Sequence, residues 1–437
     1  MRIKIDHIAK IEGHAGFVAD IVNGRAEKAL FSVLEGSRLL EGILRDRKCA
    51  EVSQIAARIC GVCPVVHNLT SLKALEGALG VEVSGQTILL RKLMMLGQII
   101  NSHALHVFFF SLSDFFGIEN DLGLIERYPQ KAQQALAIRE FANKIIEIIG
   151  GRSIHPLTPE VGGFIRLPKT ESIKQIGENA KKILPQAIEL ARFFAKLNYP
   201  KFERETNFVS LVNAKEYPIY EGELSINGKQ KYALKDFMQL VKEAQVSYDG
   251  VKRTSIEQNS YMVGAIARIN NNHKQLNKEA KKILKASRIK LPSKNPFHNI
   301  LAQAVEVVHC FEETMKIVKT CHLESFDFSQ DKLREGSHRR HEGDSSASPK
   351  NDKISAESGY GAIEAPRGTL FYFYEVGENG LVENCNIITP TAQNIARLEE
   401  DLKIWLPELQ NFPEKEIQDK IRMLVRAYDP CLTCATH

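Results

Sequence analysis

The pattern of apolar and polar residues changes character along the chain. Residues 1 to 34 alternate with a period of two, as expected for strands with one buried face. Asn23-Gly24 breaks the alternation between Gly16–Val22 and Glu27–Val33 and reads as a hairpin turn. A small antiparallel sheet is expected over about 1–35. From Arg38 the spacing becomes helical. It predicts a helix through Ser53–Ile59 leading into Cys60, and an amphipathic helix over Leu69–Leu79 ended by Gly80. A long helix over Gln86–Phe116 has apolar residues on most faces and should be central. Pro129–Ile149 and Thr170–Leu197 predict two further long helices.

Residues 202–250 carry shorter strand-like runs, including Phe208–Val212 and the Asn227-Gly228 turn. Helical spacing returns over Ser255–Ala286 and Asn295–His322. Residues 327–358 are nearly free of apolar side chains and read as a polar surface loop. Beyond it, Thr369–Val376 and Leu381–Ile388 suggest a hairpin, and Gln393–Leu402 and Lys415–Arg426 suggest helices. The expectation is a mainly α fold with small peripheral β-sheets (α+β), in one domain over 1–437.

Charge narrows the function classes. The 437 residues hold 58 basic and 53 acidic side chains. A net charge of +5, evenly spread, lacks the basic footprint that nucleic-acid binding requires. The opening Met1-Arg2-Ile3-Lys4 is charged and alternating, so no secretory leader is expected. Arg91, Lys92, Asn101, His103, His106 and Asp114 interrupt the apolar stretch from Ile88 to Phe116, which fits a buried helix better than a membrane span. Eight cysteines are too sparse for a disulfide scaffold and fit reduced thiols in a cytoplasmic protein.

Four of those cysteines form two Cys-x-x-Cys pairs at opposite ends of the chain, Cys60/Cys63 and Cys431/Cys434. The first, in Arg58-Ile59-Cys60-Gly61-Val62-Cys63-Pro64, lies at a helix start, where free N–H groups and the helix dipole favour thiolates. A redox dithiol, half of a structural zinc site and half of a redox-metal site all remain open for it. The second follows Asp429-Pro430, and it too could be half of a zinc site. If the pairs meet, the whole fold must bring them together into a soft four-thiolate site. Cys49, Cys310, Cys321 and Cys385 make no cluster motif and read as buried apolar residues.

Both pairs and their flanks, with His67 after the first and His437 after the second, resemble the signature of the nickel–iron hydrogenase large subunit. Lys10-Ile11-Glu12-Gly13-His14 is similar to that family's N-terminal motif. Gly359 to Gly368 and Ile387-Ile388-Thr389-Pro390-Thr391 are similar to its later motifs. The resemblance implies the family's long-helix bundle and a reversible, heterolytic cleavage of H2 at a Ni–Fe centre. All four cysteines would bind nickel, with Cys63 and Cys434 bridging to an iron that carries CO and CN. Pro390 and Thr391 would line those ligands, and His67 would lie beside a bridging sulfur. Alone, Glu12 would be a solvated hairpin charge and His67 a satisfied core histidine. The resemblance makes Glu12 the first proton acceptor, with Cys431 handing the proton over. It also makes Arg367 a guanidinium poised over the centre, oriented by Asp114 and Asp429.

Glu41, the Ile387 carbonyl and His437 resemble ligands of a separate magnesium (or iron) site. His437 would then be a metal-tethered end, left by a C-terminal endopeptidase or encoded without an extension. No cysteines remain in suitable spacing for an electron wire, so a small subunit carrying Fe–S clusters is expected. Further diaphorase-type or acceptor-reducing subunits and maturation factors are implied partners. The motifs look most like the soluble, cofactor-coupled cytoplasmic group, while co-export to the periplasm with a partner is compatible with the same residues. Two other classes share the ancestry. A hydrogen-sensing regulator keeps the metal site, whereas a complex I-like scaffold subunit lacks the metal-binding cysteines, against which the retained cysteines, Glu12 and Arg367 argue.

Overall fold

The computed structural model describes residues 1–323 and 357–436. At the N-terminus, Arg2–Ile5, Ala15–Val22 and Arg25–Val33 form an antiparallel sheet in sequence order. Asn23 and Gly24 both take positive φ (51° and 73°), the backbone that a two-residue turn matching strand twist demands. Four long helices build the centre. Gly85–Ala104 packs on Pro129–Gly150 and on His298–Leu323, and the last of these packs on Thr170–Phe194. Beyond Ala104 the chain widens into a π-helical turn over Leu105–Ser111 and then tightens over Leu112–Phe116. The one continuous helix expected over Gln86–Phe116 therefore changes pitch at Leu105. Gly85–Phe116 is long and apolar enough to cross a membrane, but 78% of its most apolar window is buried inside the protein, as expected for a core helix.

Several sequence expectations need correction. The helix expected over Leu69–Leu79 starts earlier, with Pro64 at its first position, and runs to Ala78. It is buried on nearly every face rather than amphipathic, because a second sheet covers the side that would otherwise meet water. The start of the Ser255–Ala286 stretch is not helical: Lys252–Ile256 pairs antiparallel with Val241–Gln245, and the helices are Ala265–Asn272 and Lys278–Ala286. Thr254 and Ile256 are β-branched and suit that strand. Most of the expected polar loop lies outside the described residues. Its last two positions, Glu357 and Ser358, open a strand that the sequence pattern did not signal.

That strand, Glu357–Ala365, pairs with Gly368–Val376, which pairs with Val382–Ile388. The sheet is small but not peripheral, since it lies buried against the Pro64–Ala78 helix. Contact is close because Gly359 and Gly361 have no side chains. A Cβ at Gly359 would sit 1.9 Å from the Ala74 carbonyl oxygen, and one at Gly361 would sit 2.5 Å from that of Thr70. Both carbonyls belong to the Pro64–Ala78 helix, which Cys63 immediately precedes, so this packing sets where the first cysteine pair stands relative to the sheet. One apolar core runs from Ile3 to Ala435 and includes all four paired cysteines.

Gly359→Ala should therefore lower unfolding stability by about 1–3 kcal/mol, because this approach leaves no room for a methyl group. Gly85→Ala, with nothing within 4 Å of the added carbon, should leave the melting midpoint unchanged. Equal melting of the two variants would contradict the close packing.

Candidate metal centre

Local structure brings each cysteine pair to the same point. Cys63 immediately precedes the Pro64–Ala78 helix, and Cys431 precedes the short turn Leu432–Ala435. Around the first pair, Gln98 donates to the Val62 carbonyl (2.8 Å) and accepts from the Val65 N–H (3.2 Å). The N–H groups of Val62 and Cys63 both point at the Cys60 sulfur, each at 3.3 Å. The second pair is held to the N-terminal segment by backbone. Glu12 and Cys431 form a parallel bridge, with the Leu432 N–H donating to the Glu12 carbonyl at 2.9 Å. Arg38 spans both pairs through the carbonyls of Ile59 (2.6 Å) and Thr433, and its own N–H donates to the Thr436 carbonyl at 2.8 Å. Sequence reasoning missed Gln98 and Arg38, which carry no motif of their own.

The four sulfurs lie within 4.8 Å of one another, with Cys60–Cys431 at 3.5 Å, Cys63–Cys434 at 3.2 Å and Cys431–Cys434 at 2.9 Å. Thiolates bonded at ~2.3 Å to one ion are at most ~4.6 Å apart, so the set fits metal coordination. All four are buried. Hydrogen bonds from Cys431, Cys434 and Cys63 hold the Cys60 thiol well below its ordinary pKa. Burial pushes Cys431 and Cys434 well above theirs. Four thiolates here require a cation, and its binding would release protons. Cys49, Cys310, Cys321 and Cys385 are buried, and among the described residues only the paired cysteines form a potential metal cluster.

Polar groups converge on this cluster. The Glu12 carboxylate lies 3.0 Å from the Cys431 sulfur and accepts from the Thr433 N–H (3.1 Å) and hydroxyl (2.5 Å). Thr391 accepts the Cys431 N–H at 2.9 Å, which leaves its hydroxyl proton to donate. Arg367, Thr391, Pro390, His67 and three of the cysteines help line a cavity of about 10 Å³ beside the sulfurs. Arg367 reaches Asp429 twice, with Nη2 3.0 Å from the carboxylate and Nε donating to the carbonyl at 2.9 Å. Burial opposes its charge, but Asp429 and then the cysteine sulfurs more than offset that, so its pKa lies well above the ordinary value.

Asp114 does not join this arrangement. Its carboxylate pairs with Arg426, and burial pushes its pKa up to about 6 against the pull of Arg426 and Lys10. The expected contact with Arg367 is instead made by Ser102 on the same long helix, at 3.4 Å, because the turns after Ala104 carry Asp114 past the site. Gln303, which donates to Asp429 at 2.9 Å, is a further residue that the sequence did not signal. His67 bonds Tyr372 through Nδ1 at 2.8 Å. Glu41 accepts the Ile387 N–H at 2.9 Å, which brings two of the three expected magnesium-site residues together, while His437 lies outside the described residues.

Comparison with known proteins agrees with this geometry. A family profile described as nickel-dependent hydrogenase matches residues 38–134 and 211–437. The chain belongs to this family. It is 33% identical to the alpha subunit of sulfhydrogenase 2 from Pyrococcus furiosus, over all of this chain and 99% of that protein. It is 28% identical to a subunit of the vhu F420-non-reducing hydrogenase of Methanocaldococcus jannaschii, over 92% of this chain and 98% of that one. Among solved structures, an NAD+-reducing [NiFe]-hydrogenase in the H2-reduced state superposes with a TM-score of 0.84 at 26% identity, covering 100% of this chain and 99% of that one. This hydrogenase subunit is thus an oxidoreductase acting on H2, and its four-cysteine cluster is a metal site suited to nickel and iron.

Cys60→Ser should abolish nickel retention, whereas Cys49→Ser, outside the cluster, should retain it in full. Metal analysis of the purified variants checks this, and equal nickel in both would contradict the assignment.

Proposed function

We propose that this chain is the large subunit of a hydrogenase whose Ni–Fe centre would be held by Cys60, Cys63, Cys431 and Cys434. When bound, the centre supplies a soft, redox-active site at which H2 is cleaved heterolytically. CO and CN on the iron would face Pro390 and Thr391, where the free hydroxyl proton can donate. The observation that carries the reading is the 3.0 Å contact between the Cys431 sulfur and the Glu12 carboxylate. A proton leaving that sulfur meets Glu12 Oε2 directly, within the range of general-base transfer. Thr433 fixes the carboxylate through two donors, its N–H on the same oxygen and its hydroxyl on Oε1.

Arg367 contributes fixed positive charge. Its guanidinium is buried and held by Asp429, so it presents charge without reorganisation. His67, tied to Tyr372, lines the cavity beside Cys63. Glu41, Ile387 and His437 would hold magnesium, consistent with the Glu41–Ile387 contact. Electrons would leave through a small Fe–S subunit, then, in a cytoplasmic assembly, through further acceptor-reducing subunits. The subunit names of the Pyrococcus and Methanocaldococcus relatives support an oligomeric enzyme.

Glu12→Gln keeps the shape but removes the base, so hydrogen/deuterium exchange should be lost while nickel stays bound. Retained exchange would refute the proton assignment. Arg367→Lys should slow turnover by about 100-fold with little change in melting, since lysine cannot reproduce the planar fork. Unchanged turnover would remove Arg367 from the active site.

A further inference from the structure

Arg367 is aimed by backbone as well as by Asp429, and that backbone is itself clamped. Arg268, on the Ala265–Asn272 helix, is fully buried. Its Nε and Nη2 donate to the two oxygens of Glu306, each at 2.6 Å. Nη1 donates to Glu364 at 3.1 Å and to the Ala365 carbonyl at 2.8 Å, and Nη2 donates also to the Pro366 carbonyl at 3.0 Å. A guanidinium has five N–H donors, and all five are used. Three of them hold the consecutive residues 364, 365 and 366 that lead into Arg367.

The partners are fixed in turn. Glu306 accepts from the Tyr217 hydroxyl at 2.6 Å and lies 2.7 Å from His103 Nε2. His103 follows Ser102, the residue that meets Arg367 Nη1. Glu364 accepts from the Leu211 N–H (2.6 Å) and the Thr369 hydroxyl (2.8 Å). Gly264, four residues before Arg268, lets the Arg367 carbonyl come close; an added Cβ would stand 3.3 Å from that oxygen. Buried charge on this scale is costly for stability alone, since packed apolar residues often serve as well. A constraint on position gives it a purpose.

We propose that Arg268 is a positioning residue for the hydrogenase reaction: by saturating the Glu364–Pro366 segment with hydrogen bonds, it fixes the direction in which Arg367 enters the metal centre. The inference rests on the role given to Arg367 above. Arg268→Lys keeps the charge but supplies three donors from a single nitrogen and cannot span Glu306 and both carbonyls. The experiment compares the holoenzyme carrying Arg268→Lys, Arg367→Lys or both, with nickel content and melting recorded for each. Crystal structures of the nickel-loaded Arg268→Lys enzyme should show the Arg367 guanidinium displaced from Asp429. Turnover should fall by about 100-fold, as for a group misplaced by about 1 Å, and the double variant should be no slower than Arg367→Lys alone. Arg367 still seated on Asp429, or losses that multiply in the double variant, would overturn the proposal. Unchanged turnover in Arg367→Lys alone would instead count against the Arg367 reading. Should Arg268→Lys not fold, the isosteric Glu364→Gln carries the same comparison, and an undisplaced Arg367 there would likewise overturn it.

Discussion

Four ionisable sulfurs drawn from the two ends of the chain share one buried point, and once ionised they repel each other with nothing of water's screening to soften it. The surrounding structure must hold them there until a cation balances them. It does so with backbone. Two N–H groups face Cys60, Thr391 accepts from Cys431, and the parallel bridge from Glu12 fixes the second pair against the N-terminal segment. Arg38 joins the two loops from outside, placing positive charge on carbonyls next to both pairs. Glu12, the proposed proton acceptor, is thus part of the brace that aligns the cysteines, and its place beside Cys431 follows from that bridge.

The same constraint explains why a buried sheet lies so far from the sequence positions it serves. Gly359 and Gly361 let the late sheet press on the Pro64–Ala78 helix, and the turn at its end projects Arg367 towards the sulfurs. From the other side the long Gly85–Ala104 helix supplies Gln98 to the first cysteine loop and Ser102 to Arg367. Helix, sheet and terminal segment meet at the cluster. A shift in any one of them moves a cysteine, Glu12 or the Arg367 guanidinium.

Much of the site was legible in the sequence because its chemistry is concentrated in short motifs. The two Cys-x-x-Cys pairs, Glu12, Arg367 and Thr391 all sit in such motifs, and the fold gathers them at one place. Local periodicity also found the long helices and the Asn23-Gly24 hairpin. It failed where tertiary contact decides. The helix at Pro64 looked amphipathic, yet a sheet far along the chain covers its other face, as the bond between Ser71 and Tyr374 shows. The resemblance implies that Asp114 orients Arg367, but the widened turn at Leu105–Ser111 directs it to Arg426, and no periodicity reports a change of pitch. Arg38, Gln98, Gln303 and Arg268 bind backbone or other polar groups across long separations, so no local pattern marks them.

The central claim is that the cluster holds nickel with an iron bearing diatomic ligands, rather than a structural zinc. Infrared spectroscopy of the purified protein, paired with metal analysis, tests it most directly. Narrow bands from iron-bound CO and CN are predicted, in protein that holds nickel and iron in about a 1:1 ratio at the thiolate site. Stoichiometric zinc with no such bands would contradict it.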